Sequence, residues 1–310
     1  MKKIPSATER YEVLKIAKSA FLNQKNVVKT LNEKKAEFLW LEDSDIIEIA
    51  YDLQAGTYSS FAHENPTWFN EFASQVSTIF SKYGKNFSAI LDAGCGELTT
   101  TTYIFNHLHT QPKKIYALDL SFARLSKGVD FWSENSSKNI SLVPVCAEMS
   151  DMPLNCNQVD ATLTVHALEP NKSALTRVLS ELLRVTKERI FLFEPCFERS
   201  DKESQKRMLE HGYIQNLERE ILKQGAIIRD VIQVKNPANK HNPTFCFVVD
   251  PPKITTKQKI TKNDFCFPGG KAPLERVSTH LYSEETGLLF PIINGIPILK
   301  IAPAILASKF

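Results

Sequence analysis

The sequence predicts an α/β fold in which helices flank a mostly parallel sheet. The first observation is an apolar run that stops at Asp92 and passes directly into a turn containing Gly94 and Gly96. The second is another apolar run, which ends in Asp119 about 25 residues after Gly94. Because one helix length separates the two runs, they predict buried parallel strands joined by a helix, a βαβ unit.

The glycine-spaced turn predicts a nucleoside site. A side chain at Gly94 or Gly96 would fill the space that a ligand needs beside the end of the strand. Adjacent parallel strands deliver their carboxyl ends to the same crevice, so Asp119 is expected to face the ribose hydroxyls of a bound nucleoside. A lone G-x-G is a weak signal, but with an acid at the next strand end it predicts an adenosine-like cofactor.

The residues after Gly96 argue against a dinucleotide. A dinucleotide site has a third glycine, and the following helix begins against a pyrophosphate. Here that position is Thr99, and Glu97 follows Gly96 directly. A carboxylate repels a pyrophosphate, whereas beside a sulfonium and an ammonium group it costs little. The D-x-G-x-G pattern and the acid at the next strand end together resemble the first two motifs of the class I S-adenosylmethionine-dependent methyltransferases.

This resemblance covers residues 88–250, roughly 160 residues, and it implies S-adenosylmethionine as the cofactor. It implies a Rossmann-like sheet of seven strands, mostly parallel, with the last strand antiparallel. Many family members have Asp where this chain has Cys146, so Glu148 is expected to supply the hydrogen bond to the adenine amino group. The cofactor-binding residues predicted within this region are Asp92, Gly94, Gly96, Asp119, Leu120, Ala147, Glu148 and His166.

The other core elements follow from apolar periodicity and from the order of the family's motifs. Strands are predicted at 141–145, 158–165, 190–193, 227–234 and 244–249, and helices at 173–186 and 213–223.

The chain before the sheet predicts a helical cap over residues 1–80. Apolar residues recur at helical spacing in Thr8–Phe21 and again in Trp68–Phe80. Between these helices lies an aromatic-flanked segment that contains Tyr51 and Tyr58. A segment in this place often folds over the cofactor in the family, which implies that both tyrosines belong to a cofactor-binding lid. The alternative is that they are ordinary packing residues.

The catalytic core is predicted to span residues 81–252, and a lysine-rich linker then leads into a small β-rich module that completes 253–310. The module resembles the zinc-ribbon-like activator subunit of RNA and protein methyltransferases. Zinc needs four N or S ligands, yet only Cys266 remains of the cysteine pairs, so no metal site is expected. The Asn294-Gly295 pair predicts a hairpin turn. The module is expected to dock on the core and to support its structure or its lid.

Composition agrees with a soluble enzyme. A chain of 310 residues, 43% hydrophobic, can bury a full core, and its net charge of +3 does not demand nucleic acid or an anionic membrane. The start of the chain does not read as a signal peptide, and the apolar tail is too interrupted to span a membrane. Six scattered cysteines favour reduced thiols and a cytoplasmic location. Oligomeric state stays open between a monomer and a homodimer.

Candidate catalytic residues lie at the ends of the fourth and fifth strands. His166 is expected where the methyl group projects, and its imidazole titrates near neutral pH, so it is the first candidate for contacting the acceptor or for general base. The alternative is a histidine that only satisfies hydrogen bonds behind the cofactor. Further candidates on the same rim and in the nearby loops are Glu194, Glu169, His211, Tyr213, His241 and Asn242.

These features predict methyl transfer to an O or N atom of a small metabolite or sugar-like acceptor. The Asn/Asp-Pro-Pro-aromatic segment of amide and exocyclic-amine methyltransferases is missing after the fourth strand, where the chain reads His-Ala-Leu-Glu. Cys196 lacks the context of the covalent cysteine of cytosine-5 methyltransferases. An RNA or protein methyltransferase is the alternative, because of the activator-like tail. A degenerate scaffold is disfavoured by the intact acids and glycines.

Overall fold

A computed structural model describes residues 5–84, 86–235, 243–253 and 263–308 of the chain. The first five helices form the cap, and the apolar periodicity predicts the first and the last of them. Ser6 begins the first helix with a capping box, in which its hydroxyl accepts from the Glu9 backbone N–H while the Glu9 carboxylate accepts from the Ser6 N–H. The cap helices are α1 (Ala7–Leu22), α2 (Val27–Asn32), α3 (Asp43–Leu53), α4 (Thr57–Glu64) and α5 (Pro66–Tyr83).

The core is a sheet of seven strands, which confirms the predicted fold class. The spatial order is β3-β2-β1-β4-β5-β7-β6, and β7 runs antiparallel to both of its neighbours. The strands are β1 (Ala89–Ala93), β2 (Lys114–Asp119), β3 (Ser141–Cys146), β4 (Val159–Val165), β5 (Thr186–Pro195), β6 (Ile227–Val234) and β7 (Thr244–Asp250). The order changes direction at β1 and β4, so a crevice opens at their carboxyl ends.

Apolar side chains cover both faces of this sheet, as a parallel sheet requires. On one face Leu91 joins a cluster with Leu179 and Leu182. On the other, Ile90 joins a cluster in which the rings of Phe80 and Phe191 stack 4.1 Å apart. Each such fully buried side chain contributes about 1.5–3 kcal/mol to stability.

The core helices differ from the predicted ones at two places. They are α6 (Thr99–His107), α7 (Phe122–Asn135), α8 (Leu175–Val185), α9 (Lys202–Glu210) and α10 (Leu217–Lys223). The helix predicted from Tyr213 begins only at Leu217, because Asn216 has a left-handed backbone (φ 58°) that interrupts helical geometry. Helix α9 was missed because its sequence is strongly polar and exposes little apolar periodicity.

The C-terminal module is a small antiparallel sheet at the β3 edge of the core. Its strands are β8 (Glu275–Val277), β9 (His280–Ser283), β10 (Leu288–Ile293), β11 (Ile296–Pro297) and β12 (Ile305–Leu306). The predicted hairpin turn at Asn294-Gly295 joins β10 to β11. Most of the lysine-rich linker lies outside the described residues. Within the described residues no group of His, Cys, Asp and Glu side chains could hold a metal ion, and no helix is long and apolar enough to cross a membrane.

Candidate functional site

A large cavity of about 1180 Å³ opens at the carboxyl ends of β1, β2 and β4, under the cap. Ligand pockets usually measure about 300–1,000 Å³, so this cavity has room for more than one small molecule. The structure brings all ten predicted cofactor-binding residues to its wall: Tyr51, Tyr58, Asp92, Gly94, Gly96, Asp119, Leu120, Ala147, Glu148 and His166.

The two strand-end acids converge as predicted. Strand β1 pairs in parallel with β2, so that Asp92 lies opposite Ala117, two residues before Asp119. Asp119 accepts from the backbone N–H groups of Gly96 (2.7 Å) and Ser121 (2.9 Å), and Asp92 accepts from the Thr101 hydroxyl. These bonds fix both carboxylates at the floor of the cavity.

Burial raises the pKa of both carboxyl groups. Desolvation raises the pKa of Asp92 to about 7, and the charge of Asp119 adds to this while the Thr101 hydrogen bond opposes it. Desolvation also raises the pKa of Asp119, against the opposing effects of Arg124 and three backbone donors. A bound cation would lower both pKa values, because it stabilises the charged form of each acid.

The glycine turn has the shape that the sequence predicts. Gly94 and Gly96 have φ values of +79° and +54°. A Cβ on Gly94 would lie 2.4 Å from the Ala167 Cβ, and a Cβ on Gly96 would lie 2.6 Å from an Arg124 nitrogen. The positive φ favours glycine at both positions, and the Ala167 contact also leaves no space for a side chain at Gly94.

Helix α3, the proposed lid, lines the cavity, and two of its acids anchor it to the core. The Asp52 carboxylate accepts from the Ser121 hydroxyl (2.8 Å) and from the Ala123 N–H (3.1 Å), which caps the start of α7. Near the other end of α3, the Asp43 carboxylate accepts from the Ser173 hydroxyl at 2.7 Å. Tyr51 lies between these anchors, so its position over the cavity is held from both sides.

Glu97 lines the cavity, and its carboxylate also holds α4, the second helix of the lid. Its carboxylate accepts from the backbone N–H groups of Gly56 (3.0 Å) and Ser59 (2.8 Å) and from the Ser59 hydroxyl (2.6 Å). These N–H groups belong to the start of α4, whose unpaired donors and dipole favour a carboxylate. A core acid thus caps a lid helix, just as the lid acid Asp52 caps a core helix.

Arg124 is a site residue that the sequence analysis missed. Its side chain is 9% exposed, and its guanidinium carbon lies 5.0 Å from the Tyr51 ring centre and 4.6 Å from that of Tyr58. This cation–π arrangement ties both lid tyrosines to the core. Its Nε is buried without a hydrogen-bond partner in the described part of the chain. The available signal was its place in the first turn of the helix that follows Asp119.

His166 lies on the cavity wall, but hydrogen bonds within the protein engage both of its ring nitrogens. Nδ1 contacts a Glu169 oxygen at 2.8 Å, and Nε2 contacts the Thr244 hydroxyl at 2.7 Å. Burial is the largest influence and lowers the pKa of His166, but the Glu169 hydrogen bond and the charges of Glu169 and Glu194 together raise it further, so the net direction is upward. This geometry favours the alternative in which His166 supports the site, and action as a base would require release from Thr244.

Glu194 lies behind the cavity and does not line it. Its side chain is fully buried, and it accepts from the Thr164 hydroxyl (2.7 Å) and from the backbone N–H groups of Ala167 (3.1 Å) and Leu168 (3.2 Å). Burial raises its pKa to about 7. Direct contact with an acceptor, the role predicted from the sequence, would break these three bonds. In this structure Glu194 positions the loop that follows β4.

The other candidates within the described residues do not line the cavity. Burial and the neighbouring Glu169 carboxylate raise the pKa of Tyr213. The Tyr213 ring centre lies 5.9 Å from the Arg207 guanidinium carbon. His211 contacts the Tyr213 ring and does not line the cavity. The remaining pair, residues 241 and 242, lies outside the described residues.

The raised pKa of Asp92 predicts pH-dependent cofactor affinity. A cationic ligand binds more tightly to the carboxylate than to the neutral acid, so affinity should rise as pH increases through about 7. Release of one proton on binding gives an increase of up to about tenfold between pH 6 and pH 8. Calorimetric Kd values for S-adenosylmethionine at these two pH values test this.

Asp92→Asn is the control for this measurement, because the cofactor's own α-amino group titrates near 7.7–8.0. The pH dependence that the variant retains belongs to the ligand, and the part that it loses belongs to Asp92. An identical pH dependence in the variant and the wild type would contradict the assignment.

Comparison with known proteins agrees with this site. Residues 90–189, from β1 into β5, match the family model described as a methyltransferase domain. No curated protein sequence is a significant match. Two crystal structures of magnesium protoporphyrin IX methyltransferase from Synechocystis PCC 6803 share the fold. The one with bound SAH has a TM-score of 0.52 and 12% identity, covering 68% of this chain and 100% of that chain. The one with bound SAM has a TM-score of 0.51 and 12% identity, covering 68% and 98%.

The matched segment carries both strand-end acids and both glycines of the cavity floor. At 12% identity the solved structures establish the fold, and the family model establishes the domain. The chain therefore contains a methyltransferase domain over residues 90–189, and its sheet has the class I methyltransferase fold, which confirms the resemblance of its motifs to the S-adenosylmethionine-dependent methyltransferases.

Proposed function

We propose that this protein transfers a methyl group from S-adenosylmethionine to an O or N atom of a small, hydroxyl-rich acceptor such as a sugar-like metabolite. The observation that carries the proposal is the part of the cavity wall that the ten predicted cofactor-binding residues do not form. Side chains from the cap and from the α8 side line it, and most can hydrogen-bond to hydroxyl groups: Glu42, Ser44, Asn171, Ser173, Thr176, Ser180 and Gln224.

The residues present fit the cofactor. The Asp119 carboxylate would accept from the ribose hydroxyls, and Asp92 would face the positive charge. The backbone of Gly94 and Gly96 would allow close approach to the cofactor. Arg124 has a buried Nε with no partner in the described part of the chain, and an acceptor atom on a bound ligand would relieve the cost of burying it.

The sulfonium group supplies an electrophilic methyl when the cofactor is bound, so the protein's main tasks are alignment and exclusion of water. The lid tyrosines Tyr51 and Tyr58, held by Arg124, close the cavity above the glycine turn. Glu194 fixes the loop after β4, where the acceptor would lie. If the acceptor must lose a proton, His166 is the proposed base, and Glu169 at its Nδ1 would stabilise the imidazolium.

Two experiments test this function. Calorimetry with the purified protein is expected to show S-adenosylmethionine binding with micromolar affinity, and the absence of binding would contradict the cofactor assignment. Methyl transfer from labelled cofactor is then followed in the small-molecule, RNA and protein fractions of a cell extract. We expect label in the small-molecule fraction. Label in RNA or protein would reject this acceptor class in favour of the alternative predicted from the activator-like tail.

A further inference from the structure

Lys300 joins the C-terminal module to the lid. It follows β11 and is only 8% exposed. Its ammonium group donates to the Glu48 carboxylate on α3 at 2.6 Å and to the backbone carbonyl of Leu120 at 3.2 Å. A buried ammonium is costly unless it is paired and hydrogen-bonded, so these two partners determine where the side chain can lie.

The backbone around Lys300 is attached to the core at a specific point. The N–H of Leu299 donates to the Cys146 carbonyl at 2.8 Å, and Ile298 forms a parallel bridge with Cys146. Cys146 is the last residue of β3 and directly precedes Ala147. The module therefore extends the core sheet past β3, at the place where the chain turns into the predicted adenine loop.

Three segments that line the cavity lie next to Lys300 and Leu299. Leu120, which receives the ammonium hydrogen bond, follows Asp119 and lines the cavity. Ala147 also lines the cavity, and it directly follows Cys146, whose carbonyl accepts from the Leu299 N–H. Glu48 precedes Tyr51 by three residues, so the two side chains lie about one turn apart on α3. Lys300 does not line the cavity itself, and it can act on a ligand only through these neighbours.

We propose that Lys300 is a positioning residue for the cofactor site, through which the C-terminal module holds the lid helix and the ribose and adenine loops in their binding arrangement. This inference rests on the proposed cofactor. It gives the C-terminal module a role in cofactor binding as well as in folding. The module then acts as an activator within the same chain. The ammonium links α3 to the loop after β2, and the neighbouring Leu299 N–H holds the end of β3, so loss of Lys300 raises the cost of ordering the site when a ligand binds.

A second ion pair provides a matched control. Lys114 at the start of β2 pairs with Asp264 of the module, and Asp264 also accepts from the Tyr116 hydroxyl at 2.8 Å. Lys114 thus ties the same module to the same sheet, but at the opposite end of β2 from Asp119. Its loss should loosen the module without acting on the cavity.

The experiment compares Lys300→Met with Lys114→Met in the full chain. We expect S-adenosylmethionine to bind about tenfold more weakly to Lys300→Met, within the range of about 5- to 150-fold that is typical of coupling between sites. Lys114→Met should keep the wild-type Kd. Hydrogen exchange should quicken at the α3 amides in Lys300→Met and not in Lys114→Met, while the β4 and β5 amides keep their protection in both variants.

Glu48→Gln is the second variant, for the case in which Lys300→Met does not fold. It leaves Lys300 bonded to Leu120 and removes only the charge partner on the lid, and we expect weaker cofactor binding and faster exchange at α3. An unchanged Kd in Lys300→Met or Glu48→Gln would overturn the inference, as would equal weakening in Lys114→Met. Failure of the wild type to bind would instead reject the cofactor, and the exchange rates at α3 would still report whether Lys300 holds the lid.

Discussion

Replacing Asp119 with alanine is expected to weaken S-adenosylmethionine binding by about 100- to 1,000-fold, or about 3–4 kcal/mol. Two sets of hydrogen bonds are lost in this variant, and their effects on binding add. The ribose hydroxyls lose a charged acceptor, and the backbone N–H groups of Gly96 and Ser121 lose the buried carboxylate that accepts from them. Because the Gly96 N–H belongs to the glycine turn, the substitution disturbs the turn as well as the ribose contact. Calorimetric titration of wild type and variant measures the effect.

Asp130→Ala is the matched control, since Asp130 lies exposed on α7, the helix that follows Asp119. It should bind the cofactor like the wild type. Melting temperatures of both variants separate a binding defect from unfolding. Wild-type affinity in folded Asp119→Ala would contradict the proposed site, because no other described carboxylate on the cavity wall lies at the end of β2.

The core sheet and the floor of the cavity follow from the sequence for a clear physical reason. A parallel strand buried on both faces is a continuous apolar run, and its end is marked by the first polar residue. Asp92 and Asp119 mark two such ends, and the geometry of adjacent parallel strands brings them together without further information. This prediction depends on strand pairing and not on side-chain packing, and the structure confirms it.

The attachment of the lid could not be predicted in the same way. Glu97 accepts from Gly56, 41 positions earlier in the chain, and Asp52 accepts from Ser121, 69 positions later. Such bonds depend on where whole helices are placed, and no local periodicity encodes them. Glu97 was assigned to the cofactor because it follows the glycine turn. In the structure its side chain lines the cavity and also accepts from the unpaired donors at the start of α4.

The candidates for catalysis show a related limit. His166 and Glu194 both lie at strand ends, and the sequence predicts their position on the rim but not the direction in which each side chain points. In the structure Glu194 turns inward to accept three hydrogen bonds, and His166 has its Nε2 on Thr244. A strand end that supports a loop and one that faces a ligand have the same sequence pattern. Only the positions of their hydrogen-bonding partners distinguish them.

Replacing Gly94 with alanine is expected to destabilise the protein by about 2–5 kcal/mol and to reduce methyl transfer further than this loss explains. A left-handed backbone costs a non-glycine residue about 1–2 kcal/mol, and overpacking adds about 1–3 kcal/mol. The new Cβ would lie 2.4 Å from the Ala167 Cβ. Glu194 holds Ala167 through its N–H, so relief of the clash must move the glycine turn or the loop after β4. Thermal melts and kcat/KM for methyl transfer test this.

Gly225→Ala is the matched control for Gly94→Ala. Gly225 has nearly the same backbone, φ +75° against +79°, but a Cβ there would meet nothing within 4 Å. The control variant therefore carries the conformational cost of about 1–2 kcal/mol without the clash, and it should keep wild-type kcat/KM. The difference between the two variants isolates the contact between the glycine turn and Ala167. Equal loss of stability and activity in both would show that this contact has no part in forming the cofactor site.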